Sequence, residues 1–143
     1  MVQIPRRSRA LLGASVVFAV VLLYWLSLED TTLNGVIAVG IAAAVVVTGH
    51  VARRRWGGST VAGRGLIRLG AGVGVLAGLL SAPLTVLLML TKVGLHSHTY
   101  PDYSAQQMFG VLRVWPIWIA AGVLFGLALG AALFLLRGET GES

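Results

Sequence analysis

Four stretches of this chain, residues 10–28, 33–51, 69–90 and 115–136, contain no Asp, Glu, Lys or Arg and are built mostly from Ala, Val, Leu, Ile and Gly. Apolar runs of about 18 residues or more, wound as helices, match the hydrocarbon core of a bilayer. Backbone in hydrocarbon must satisfy its own hydrogen bonds, and long runs without polar alternation do so as helices rather than as barrel strands. The expected fold is therefore an all-α membrane protein with four transmembrane helices, a single domain over residues 1–143. Composition agrees, since only 11% of residues are charged, against about 25% in a soluble domain that must cover its core.

The net charge of +6 invites a nucleic-acid reading, but the charges are not spread as such a role requires. Arg6, Arg7 and Arg9 precede the first run, Arg53, Arg54, Arg55, Arg64 and Arg68 lie between the second and third, and Arg137 follows the fourth. If all four runs span, these residues share one side of the membrane, which the positive-inside rule makes the cytoplasm. Lys92 and Arg113 fall on the other side with Glu29, Asp30 and Asp102. The chain is thus expected to be a multi-pass protein of the plasma membrane, with both termini cytoplasmic and no nucleic-acid partner. Trp25-Leu26-Ser27-Leu28 lacks a small-x-small cleavage pattern, so the first helix is expected to be a retained anchor.

Aromatic residues support the same register, because Trp and Tyr favour the headgroup level. Trp25, Tyr100, Tyr103, Trp115 and Trp118 fall at expected outer helix ends or in the outer connection, and with Lys92 they are the candidate interfacial anchors. The first outer connection is short, with Asp30 or Thr31 a plausible N-cap for the second helix. The inner connection from Arg53 to Gly65, containing Trp56-Gly57-Gly58-Ser59, reads as a mobile loop attracted to anionic lipid.

Gly70, Gly74 and Gly78 in the third run, and Gly122, Gly126 and Gly130 in the fourth, recur every four residues and so form one stripe on each helix. Small-residue stripes let backbones approach where lipid offers no hydrophobic drive for association. The two stripes are expected to pack on each other, although a homo-oligomer or a foreign subunit could use them equally. Pro83 should bend the third helix about one turn earlier, near Leu79. Ser104 and Gln107 have capping-box spacing and predict a short helix over residues 105–114, lying at the interface, with Met108, Phe109, Leu112 and Trp115 on one face. Pro116 then opens the fourth span.

Chemistry has few places to reside. The four runs hold no carboxylate, which counts against a proton-coupled exporter, and the absence of cysteine removes thiolate metal sites and paired-cysteine redox centres. His50 lies at the opposite end of the membrane from His96 and His98, so no facing pair is available for haem. The outer stretch Thr91 to Tyr103 is the remaining polar candidate. If the helix ends near Gly94 and the chain then extends, His96, His98 and Asp102 alternate onto one side and could hold a divalent metal; if the helix continues, His96 pairs instead with the face of Lys92. No nucleophile or general base can be named, so no enzymatic role and no cofactor beyond that metal are expected. The sequence favours a non-enzymatic accessory or assembly subunit, contacting the bilayer and a larger membrane complex or its own copies. A metal- or ligand-binding membrane protein is the alternative, and a small oligomeric transporter the third.

Overall fold

The computed structural model describes residues 2–6, 8–28, 32–61, 63–96 and 101–138. Its elements run β1 (Val2–Gln3), α1 (Arg9–Ser27), α2 (Leu33–Trp56), β2 (Thr60–Val61), α3 (Arg64–Leu95), α4 (Ala105–Arg113) and α5 (Trp115–Gly138). Four of the helices, α1, α2, α3 and α5, are long and apolar enough to cross a membrane. The helices outrun the apolar windows at several ends, because arginine is a good helix former and hydropathy alone does not stop a helix. The 32 residues of α3 extend about 48 Å at 1.5 Å per residue.

The hub is α3, which packs along its length against α5 on one side and α2 on the other. On the α5 side the two glycine stripes meet backbone to backbone. A Cβ added at Gly74 would overlap the carbonyl oxygen of Gly122, one at Gly70 or Gly126 would overlap the other's carbonyl oxygen, and one at Gly78 would come within 2.6 Å of the Trp118 carbonyl oxygen. Gly130 completes the seam against Leu66 and Ile67, which makes the two helices antiparallel. On the α2 side the equivalent notch is at Gly40, into which the Thr85 side chain fits. By contrast α1 touches mainly α2, and its one glycine, Gly13, meets nothing within 4 Å. Without a glycine stripe, α1 remains at the periphery with Leu12, Val16, Val20 and Leu23 exposed.

Pro83 lies within continuous α3. Its missing N–H leaves the Leu79 carbonyl without its usual donor, and the Trp115 indole Nε1 donates to that oxygen at 3.0 Å. Ser81 and Thr85 turn their hydroxyls back onto the carbonyls of Ala77 and Ser81, so the polar side chains around the proline are satisfied within the helix.

The α2–α3 connection is more structured than its glycine-rich sequence suggests. Val2 pairs with Val61 and Gln3 with Thr60 in an antiparallel ladder, extended by Ile4 N–H to the Ser59 carbonyl and Gly58 N–H to the Ile4 carbonyl. Gly58 makes the turn possible at φ +89°. Strand pairing is a long-range event that local composition does not report. It brings the N-terminal arginines to the same end as Arg53–Arg55 and the start of α3.

Candidate functional site

Polar side chains gather at the two ends of the bundle. At the end opposite the arginines, α3 stops at Leu95, and His96 takes the C-cap position with its N–H on the Lys92 carbonyl. Gly94 is thus inside the helix rather than its cap. The chain re-enters description at Pro101, and Asp102 Oδ2 lies 2.8 Å from His96 Nδ1. Ser104 caps α4 through a reciprocal capping box with Gln107. Helix α4 turns Val111 into the core and sets Met108 and Leu112 against it, with Trp115 at the start of α5 packed there too, while Phe109 is 71% exposed. A three-and-four spacing centred on Val111 explains this face, and it excludes Phe109 from the set expected to share it.

Beneath this connection sits a packed cluster. Trp25, Met89, Tyr103, Val36 and Val111 are all buried, and with them Lys92, which is 0% exposed. The Lys92 ammonium stands over the Trp25 ring, 4.4 Å from its centroid. An ammonium placed so gains from the ring's negative face, more as water is excluded. Three of the residues expected to anchor at headgroups, Trp25, Lys92 and Tyr103, are therefore buried against protein, Tyr103 in the same cluster as Trp25 and Met89. Of the other anchors, Trp115 bonds to Leu79 and Trp118 packs beside the core cluster.

The metal-site residues divide between described and undescribed positions. His96 and Asp102 are together, but His98 lies outside the described residues, as do Tyr100, Glu29, Asp30 and Thr31. Among the described residues no three His, Asp or Glu side chains are close enough to hold an ion. A carboxylate hydrogen-bonded to Nδ1 orients an imidazole and fixes its tautomer, and the His96–Asp102 contact has that geometry.

The arginine end holds a second polar network, not anticipated from sequence because its members are 35 residues apart. Arg53 Nη2 is 3.3 Å from His50 Nδ1, His50 Nε2 is 2.8 Å from Ser15 Oγ, and Ser15 donates to the Leu11 carbonyl at 2.8 Å. Guanidinium only donates, so Nδ1 accepts, and Nε2 carries the proton it gives to Ser15. The network ties α1 to α2 where apolar packing between them is slight.

Between the ends runs a groove of about 880 Å³ with α3 as its floor and α2 and α5 as its walls. Its lining is apolar apart from Thr48 and Ser81. The Thr48 hydroxyl is buried without a hydrogen-bond partner, one of two such side-chain atoms among the described residues, with Trp25 Nε1. A smaller cavity of about 290 Å³ lies at the arginine end between residues 4–11, α2 and Leu69, bordered by Arg53, Ser8 and Trp56.

No family model matches the chain, and no curated protein or solved structure shows significant similarity to it.

Proposed function

We propose that this is a multi-pass plasma-membrane protein that acts without catalysis, as an accessory or assembly component making contacts with protein or lipid. Both termini lie on the cytoplasmic side in this reading. Helix α4 lies at the outer interface, consistent with its exposed Phe109 and its polar Gln106 and Arg113.

The observation that carries the reading is the closed α3–α5 seam, where backbone meets backbone at Gly70, Gly74, Gly122 and Gly126. Such a seam leaves no space for a polar path between these helices, and it spends both glycine stripes inside one chain. The surface available to partners is then the weakly packed α1, the outer side of α5 and the two polar ends. Purification of the full chain in a mild detergent, followed by mass determination of the particle, tests this. A stoichiometric partner or a defined oligomer is expected, and a monodisperse monomer carrying neither protein nor lipid would count against it.

A further inference from the structure

The register of the glycine seam sets the start of α5 far below the outer end of α3. A Cβ on Gly78 would come 2.7 Å from the Ile119 Cα, and one on Gly130 would come 2.9 Å from the Ile67 Cα. In this antiparallel pair Trp115, one turn before Ile119, is therefore level with Ala82, one turn after Gly78. Yet the chain returns from the outer loop at His96, whose Nδ1 is 2.8 Å from Asp102 Oδ2. From Ala82 to His96 α3 rises about 21 Å at 1.5 Å per residue. The segment from Asp102 to Trp115 must descend that distance, less what the His96 and Asp102 side chains span. The links on either side of α4, even fully extended, supply about 17 Å in all. They are not extended, since the chain bends at Asp102 and Tyr103 and Val114 sits at φ −91°, ψ 7°. Helix α4 thus runs steeply down α3 rather than flat across the bundle end, with Tyr103 and Val111 buried in the cluster that also holds Ala82 and Met89.

At the foot of this descent both helices are interrupted. Val114 ends α4 with its N–H on the Leu112 carbonyl, and Pro116 has no N–H to give that oxygen its usual donor. At the same level α3 carries Pro83, and the Trp115 indole, bonded to the Leu79 oxygen at 3.0 Å, joins the two interruptions. This level is midway along α3 between Arg68 and His96, about 21 Å from each. On its arginine side α3 and α5 are locked backbone to backbone. On its outer side α4 is held by side chains alone, through Val111, Met108 and Leu112 and the link from Asp102 to His96. The opposite face of α4 is free, with nothing within 4 Å of a Cβ at Gly110.

From these two proline breaks at one level we infer that α4 and α5 are halves of a single membrane crossing, and that Val114 is a hinge on which the outer half moves against the fixed seam. The inference rests on the membrane-spanning reading above and sharpens the placement of α4: its Ser104 end stays at the outer interface, and its Arg113 end is carried inward.

The chain has no cysteine, so single introduced thiols can carry a nitroxide. Full-length protein in phosphatidylcholine vesicles is labelled at Gln106→Cys, Phe109→Cys, Val114→Cys or, on α5, Phe125→Cys, all exposed positions. Depth is read from relaxation by oxygen and by a water-soluble nickel chelate. It should increase from Gln106 to Val114 by about 12 Å. Equal depths along α4, with Phe125 shielded from nickel, overturn the inference and leave the spanning reading standing; nickel access at Phe125 removes both. The hinge is tested by the distance between labels at Gln106 and Phe125 in one molecule. Pro116→Ala returns a donor to the Leu112 oxygen and should narrow the distribution of that distance, with no loss of helix by circular dichroism. Equal widths in the two proteins overturn the hinge.

Discussion

At Gly74 a single methyl group decides whether α3 and α5 can meet, because the space its Cβ would fill is occupied by the Gly122 carbonyl. Backbone atoms cannot rotate away as a side chain can, so Gly74→Ala should open the seam and cost at least about 2–3 kcal/mol. Gly72, two residues earlier in α3, has nothing within 4 Å of its Cβ position. Gly72→Ala should therefore be neutral or stabilising by up to about 1 kcal/mol, since alanine restricts the unfolded backbone more. Unfolding of both variants in mixed micelles by a denaturing detergent checks the pair; equal effects would mean that packing at the seam is not what selects glycine. The residue scale also shows where sequence reading stops. Spacing by four was visible for both stripes, because helical geometry turns spacing into a shared face. The burial of Lys92 with its ammonium over the Trp25 ring was not, since it depends on how α1 and α3, distant in sequence, come together.

Proline in the middle of α3 raises a question of the whole element: what satisfies the carbonyl one turn before it. Trp115 answers from the start of α5, donating to the Leu79 oxygen at 3.0 Å. Trp115→Phe should keep most of the apolar contact and cost about 1–2 kcal/mol through the unpaired carbonyl. Pro83→Ala restores an internal donor for the same oxygen, so Trp115→Phe should cost much less in that background. A double-mutant cycle on unfolding free energies measures the coupling, and additive effects would show that Trp115 does not compensate for the proline. The sequence marked both residues, Pro83 as a bend and Trp115 as an anchor, but not the bond from Trp115 to Leu79, 36 residues away, that links them. Hydropathy and capping residues are local signals, and they sufficed for the four long helices and for α4 with its Ser104 cap. The β1–β2 pairing, the His50–Ser15 link and the groove are products of tertiary placement, and no window of sequence contains them.

For the molecule as a whole, the distribution of charge and the antiparallel packing make one topological statement. The β1–β2 ladder holds the N-terminal segment to the α2–α3 connection, and Gly130 beside Leu66 brings the final turns of α5 to the same end. Arginines 6, 9, 53–55, 64 and 68 therefore collect at one end, while α4 and the His96–Asp102 pair occupy the other. Placing that many guanidinium groups on the translocated side would oppose both the positive-inside bias and the anionic inner leaflet. The absence of native cysteine makes the orientation directly measurable, because one introduced thiol is the only one in the chain. Gln106→Cys on exposed α4 and Ser59→Cys in the exposed α2–β2 turn lie at opposite ends of the bundle. A membrane-impermeant maleimide should label Gln106→Cys in intact cells and Ser59→Cys only after permeabilisation. Labelling of Ser59→Cys from outside would invert the protein; labelling of both from outside would remove the four-span arrangement itself.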